Sequence, residues 1–235
     1  MRAKSQLLAE QLNRSRKRAR RRRRITPRLP HAERRAQILA KAADLFAEYG
    51  LTAQTRALAD ACGVSQRLLY RFFPTKAALV DEVYKSEIVG PFRAAWFVQL
   101  ADRSRTMEDR LTAFYREYYA GVLKRRWLRL FLYASLAEVD MAPHYIAEII
   151  TRMLELIMAE AAHERGLRLP RDKTRCHELA WTLHGAVSHL AIRRHVYRSD
   201  NPVPVDDVIA MYVRGFLAGL PAALETRLAE PELVA

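Results

Sequence analysis

Residues 63–79 read GVSQRLLYRFFPTKAAL, an order odd for an ordinary amphipathic helix and interrupted in the middle by Pro74. Gly63 breaks the chain, and Ser65 is placed to cap a new helix by accepting a bond from a backbone N–H two or three residues on. That helix is predicted over 66–72, because Pro74 disfavours helical backbone in the residue before it. Leu69 and Phe73, spaced i, i+4, share its inward face. Gln66, Arg67, Leu68, Tyr70 and Arg71 fall on other faces, where they are available to nucleic acid. Thr75 then caps a further helix whose first turn holds Lys76. A cation at that end opposes the helix macrodipole, and a phosphate docked on the free N–H groups removes the objection. A solvated surface lysine is the plainer alternative.

Upstream, HAERRAQILAKAADLFAEY (31–49) places Ile38, Leu39, Ala42, Leu45 and Phe46 on one face at helical spacing. Gly50 stops the pattern. TRALADAC (55–62) predicts a short helix with Leu58, Ala59 and Cys62 inward, capped by Thr52 or a later residue. Helix, short helix, tight glycine-containing turn, short helix is the helix-turn-helix layout. Its second short helix need only cross a major groove about 12 Å wide.

Three elements, RRAQILAKAADLFAEYG, TRALADACGVS and LLYRFFPTKAAL, agree in order and spacing over about 34–80 and resemble the DNA-binding domain of the TetR family of bacterial transcriptional regulators. The resemblance implies an all-α homodimer: an N-terminal helix-turn-helix domain on DNA, then a larger helical domain that binds an effector and dimerises. It carries a backbone-contacting role to Thr55, Tyr70 and Lys76, but not to Phe72, which cannot donate a bond to phosphate. Arg67 and Leu68 depart from the family's usual small or threonine residues. Arg67 can read guanine through O6 and N7 or contact phosphate, and Leu68 can touch a thymine methyl or pack inside. Ser65, Gln66 and Arg71 complete the candidate DNA-binding set.

The net charge is +14 over 235 residues. Residues 1–35 alone contribute +12, including Arg16, Lys17, Arg18 and the arginine run at 20–24, so the remaining chain is close to neutral. A block of like charges cannot bury apolar surface, and an arm disordered when free is expected over 1–30. Pro27 and Pro30 mark its junction with a helix-turn-helix domain over 31–80, followed by a helical domain over 81–227 and a short tail over 228–235. The arm is a solubilising tail, a membrane contact or a phosphate-neutralising segment. No Trp or Phe accompanies the basic run, so the membrane pattern is missing. Phosphate contact is favoured, with affinity that falls as salt rises.

From Thr75 onward the chain reads as helix nearly throughout, punctuated by Pro91, Pro143, Gly166 with Pro170, and Pro202 with Pro204. No run approaches the roughly 18 to 20 consecutive apolar residues of a membrane span, and no membrane partner is expected. Small residues Gly185, Ala186, Gly215 and Gly219 on the last two helices permit close helix packing. The resemblance places the dimer interface there; intrachain core is the alternative. Trp96, Phe114, Tyr118, Trp127, Phe131, Trp181 and His184 are the candidates for an effector pocket suited to a hydrophobic or aromatic ligand, or else ordinary core.

Gly-rich phosphate loops, a Gly-x-Ser-x-Gly elbow and His-Glu-x-x-His are all missing. His177, His184, His189 and His195 are spaced seven, five and six apart, never i, i+4, so neither metal nor cofactor is expected, nor an enzyme. Cys62 and Cys176 stand alone, about a hundred residues apart, which fits a reducing cytoplasm. The expectation is a ligand-responsive repressor that reads a pseudo-palindromic DNA site as a homodimer. The rivals are a non-specific basic nucleic-acid packager and a helical ligand-binding protein whose DNA surface has decayed.

Overall fold

The computed structural model describes residues 29–51, 53–137 and 141–225, and among them all regular structure is helical. Most of the arm expected over 1–30, the tail over 228–235 and the cap candidate Thr52 lie outside the described residues.

Helix α1 spans His31–Tyr49, α2 Thr55–Cys62, α3 Gln66–Phe72 and α4 Lys76–Val83, which continues through a π-turn at Tyr84–Val89. Then follow α5 (Ala95–Ala101), α6 (Met107–Gly121), α7 (Arg125–Leu136) and α8 (Met141–Tyr145). A second π-turn, Ile146–Ile150, joins α8 to α9 (Thr151–Glu164). Helix α10 (Lys173–Ala191) ends in a third, Ile192–Val196, and α11 spans Val205–Glu225. The boundary expected at residue 80 falls inside α4.

Spatially the chain divides between Gln37 and Ile38, inside α1. In the first unit the Arg34 amide donates to Pro30 O at 2.9 Å, and its guanidinium donates to Gln37 Oε1 at 2.9 Å. All packing described next belongs to the unit from Ile38 onward.

The helix starts and stops follow from local chemistry. Ile38, Ala42, Ala43, Phe46 and Ala47 bury one face of α1. Gly50 ends it with φ +81°, a left-handed conformation natural to glycine. A Cβ on Gly50 would also lie 3.4 Å from the Tyr133 ring. Helix α2 ends in the same way at Gly63 (φ 65°), where Gly63 N donates to Asp60 O and Val64 N to Ala59 O, both at 3.0 Å. Gln54 begins α2 without a side-chain cap.

In the body, α6 packs on α11 and α5, α9 on α10 and α5, and α10 on α11. Arg110, buried on α6, donates to Leu100 O at 2.5 Å and to Glu160 Oε2 of α9 at 3.0 Å. Arg103 donates twice to the same carboxylate, at 3.0 and 2.9 Å. These bonds, Arg103 foremost, hold the Glu160 carboxyl below its usual pKa against the opposing cost of burial. Charges inside a helical bundle are tolerated because each is paired and hydrogen-bonded.

Helix α11 is the most apolar of the long helices by composition. Its 21 residues contain an 18-residue stretch with a mean hydropathy of 1.4, long and apolar enough to cross a membrane by length and composition alone. Asp206, Asp207 and Arg214 interrupt the run, which is why no consecutive stretch stands out. Val208, Ile209, Val213, Leu217 and Leu220 pack inward, whereas Met211, Gly215, Ala218 and Gly219 are exposed.

Candidate nucleic-acid interface and internal cavity

Helix α3 is held rigidly at both ends. Ser65 Oγ accepts from Leu68 N at 3.2 Å, and Phe73 N donates back to Leu69 O at 2.9 Å. Leu69 and Phe73 are buried. Tyr70 is 44% exposed, and its hydroxyl donates to Thr55 Oγ1 at 3.3 Å, so the first residue of α2 and the middle of α3 are joined across the turn. Thr75 Oγ1 caps α4 by accepting from Ala78 N at 3.0 Å.

The eight residues read from sequence as DNA contacts therefore gather on one short segment and its neighbours. Ser65, Gln66, Arg67 and Arg71 are exposed, while Thr55, Leu68 and Lys76 are half-buried. Gln66, Arg67, Arg71 and Lys76 make no ion pair or side-chain hydrogen bond among the described residues. Arg56, exposed on α2, shares that condition and was not singled out from sequence. Positive charge presented beside a helix anchored by its apolar face is the chemistry that phosphate and base edges require.

A second feature lies in the body. A cavity of about 140 Å³ is bounded by α6, α7, α10 and the two π-turns at Ile146–Ile150 and Ile192–Val196. Five of the seven effector candidates line it: Tyr118, Trp127, Phe131, Trp181 and His184. Trp127 and Phe131 stack at 4.8 Å and 11°, with Tyr145 edge-on to both. On another side, Trp181 stands edge-on to His184 at 5.2 Å. The Tyr118 and Tyr145 hydroxyls are 3.4 Å apart. Burial raises both their pKa values, so both stay protonated at neutral pH.

His184 is 4% exposed, and burial lowers its pKa to about 4. Its Nδ1 has no hydrogen-bond partner among the described residues. Trp96 and Phe114 do not line the cavity. They form an adjoining layer of aromatic core, edge-on to each other at 5.6 Å, with Trp96 Nε1 donating to Glu117 at 2.9 Å. A larger open groove of about 670 Å³ runs between α9 and the start of α10, and none of the seven candidates lines it.

Helix α7 touches the cavity on one side and α1 and the π-turn after α4 on the other. Trp127 and Phe131 face the cavity, and Trp127 Nε1 donates to Ile88 O in the π-turn after α4 at 3.1 Å. Arg126 donates to Glu87 in that π-turn at 3.0 Å and to Ala40 O at 3.2 Å, and pairs with Asp44 of α1 at 3.2 Å. Arg129 donates to Ala47 O and, at 2.8 Å, to Glu48 O, two carbonyls at the C-terminal end of α1. Arg125 pairs with Glu48 at 3.2 Å. Cations at a helix C-terminus satisfy orphan carbonyls and complement the macrodipole. These three arginines went unnoticed in the sequence; the pattern RRWLR (125–129), basic and apolar by turns on one helix, was the available signal.

Gly185, Gly215 and Gly219 would each accept a Cβ that meets nothing within 4 Å among the described residues. Close packing inside the chain therefore does not account for them, and Ala186 beside Gly185 is only half-buried. Of the four clustered histidines, His177 accepts from Trp181 Nε1, while His189 and His195 lie against Tyr197 and Tyr119. Among the described residues no group of His, Cys, Asp and Glu is placed to hold a metal. Cys62 and Cys176 are both free and buried.

Comparison with known proteins bears on this geometry directly. The profile described as "Bacterial regulatory proteins, tetR family" matches residues 38–83, from α1 to the end of α4. The HTH-type transcriptional repressor KstR2 of Rhodococcus jostii (strain RHA1) is 32% identical over 197 residues, covering 80% of this chain and 91% of that protein. Two solved structures share the fold at lower identity. A TetR-like transcriptional regulator from Rhodococcus sp. RHA1 superposes with a TM-score of 0.61 at 20% identity, over 83% of this chain and 99% of that one. The fatty acid degradation regulator FadR from Bacillus halodurans gives 0.59 at 14% identity, over 80% and 96%. With the relative's identity running through both the helix-turn-helix and the body behind it, this chain belongs to the TetR family and is a DNA-binding transcriptional regulator.

Proposed function

We propose that the protein is a repressor that binds a pseudo-palindromic operator as a homodimer and releases it when a small ligand enters the α6–α7–α10 cavity. One observation carries the reading. Helix α7 supplies cavity wall with Trp127 and Phe131, and from the same turns it grips α1 and the π-turn after α4. A ligand that moves Trp127 pulls on Ile88, and through it on α4 and the reading head.

On DNA, Arg67 and Gln66 face base edges, Leu68 approaches a thymine methyl, and Thr55, Tyr70, Arg71 and Lys76 hold phosphates. Ser65 sets the start of α3. The outer faces of α10 and α11, with Gly185, Ala186, Gly215 and Gly219, pair with the same faces of a second copy. Two α3 helices then stand about 34–36 Å apart and enter successive major grooves. The arginine-rich segment before α1 adds phosphate contacts, as basic arms do. The ligand shifts the dimer only by as much as it prefers the released state.

Selection of sites from a random duplex pool at near-physiological salt tests this reading. A two-fold site preferred over scrambled DNA by at least about 10³ supports it. Enrichment of no site, with binding that collapses as salt rises, refutes it in favour of non-specific packaging.

A further inference from the structure

The cavity's chemistry narrows its occupant, on the reading above that it holds a regulatory ligand. Its volume of about 140 Å³ is close to that of apolar protein cavities of about 150 Å³ that accept benzene. A single ring matches that volume. The walls are also suited to a ring: the parallel Trp127–Phe131 stack with Tyr145 edge-on to it, and Trp181 edge-on to His184. Aromatic faces and edges favour offset or edge-on aromatic partners.

Among the described residues no charged side chain lines the cavity. A carboxylate or ammonium would therefore enter without a counter-ion, at a desolvation cost the site does not offset. A plain hydrocarbon has the opposite fault, since it leaves His184 Nδ1 buried and without a partner. Imidazole nitrogens donate in one tautomer and accept in the other, and a hydroxyl satisfies either. Tyr118 and Tyr145, whose hydroxyls are 3.4 Å apart, and Ser188 also line the cavity and add hydroxyl groups to its wall. With burial holding the imidazole neutral at physiological pH, the site has polarity without charge.

We infer that the cavity binds an uncharged, single-ring aromatic alcohol, its ring between the Trp127–Phe131 wall and Trp181, and its hydroxyl anchored on His184. The anchor explains why a residue costly to bury stands among aromatic rings with an unused nitrogen.

The test is calorimetric titration of the full-length protein with phenol, toluene, benzoate and 2-naphthol. Phenol is expected to saturate one site per chain, roughly fivefold tighter than toluene, the worth of one ordinary hydrogen bond. Benzoate and 2-naphthol are expected to bind at least about tenfold more weakly than phenol. In His184→Leu, phenol should lose its advantage over toluene while toluene still binds. Equal affinity of phenol and toluene in the unaltered protein overturns the anchor, with no variant needed. Tighter binding of benzoate or 2-naphthol, or no saturable binding by any of the four, overturns the ligand class. Operator release is read separately. Phenol that binds but leaves the operator occupied supports the ligand class and counts against the regulatory reading. Release by a larger or charged ligand, with phenol inert, does the reverse.

Discussion

Arg67 and Lys76 are both cations at the candidate DNA surface, yet their positions give them different consequences. Arg67 lies exposed in the first turn of the recognition helix, and Lys76 is half-buried at the start of the next. Arg67→Ala is expected to relax preference at one base position, losing about 1–3 kcal/mol of discrimination. Lys76→Gln should instead weaken operator and scrambled DNA alike and reduce the salt slope by about one. Titrations of both DNAs at several salt concentrations separate the two, and equal loss on both DNAs for Arg67→Ala would make it another phosphate contact. His184 gives a prediction from proton linkage. Burial lowers its pKa from 6.5 to about 4, so between those values the unfolded chain holds a proton that the folded chain does not. Its contribution is complete above about pH 6.5 and declines as pH falls toward 4, by up to roughly 3 kcal/mol. Urea midpoints between pH 4.5 and 7.5 should therefore fall more steeply with acid in the natural protein than in His184→Leu.

At the scale of elements, α1 to α3 and the start of α4 were legible in the sequence almost to the residue, because those boundaries are set by neighbours in the chain. Gly50 and Gly63 terminate helices through their own backbone freedom, and Ser65 and Thr75 cap through their own hydroxyls. The arginines of α7 were not legible, since their partners lie far back in the chain and nothing local announces them. Arg129 reaches carbonyls 81 and 82 residues away. The same limit explains the effector candidates. Helical spacing shows that Trp96 and Phe114 are buried, but which rings meet a void and which meet one another depends on how α5, α6 and α7 pack. Arg129→Met should cost roughly 1–3 kcal/mol in urea unfolding, because it strands the carbonyls of Ala47 and Glu48 at the end of α1. Arg126→Met breaks the tie from α7 to Asp44, Ala40 and Glu87. Its expected result is operator affinity within about threefold of the natural protein with ligand-driven release much reduced; release at the natural ligand concentration would remove α7 from the route.

For the whole molecule, the question is what covers α11. Its outward face carries Gly215, Ala218 and Gly219, exposed alongside Met211, and its overall hydropathy is high enough to invite a membrane reading. Yet its inner face is committed to α6 and α10, and the small residues outside suit the close approach of another helix better than lipid, which makes no demand for smallness. A substitution with opposite effects inside the chain and between chains decides the matter. A Cβ at Gly219 meets nothing within 4 Å among the described residues, and replacing glycine within a helix removes about 0.5–1 kcal/mol of backbone penalty. Gly219→Glu should therefore leave each folded chain intact by circular dichroism. Across a two-fold interface the same change sets two carboxylates against apolar surface, on both copies at once, since a C2 contact repeats every substitution. The expected outcome in light scattering is a fall from the mass of two 27.1 kDa chains to that of one. Operator affinity should fall with it, because a single recognition helix reads only a half-site. Should Gly219→Glu keep the dimer mass and the operator, the two-fold contact lies elsewhere and α11 serves another partner.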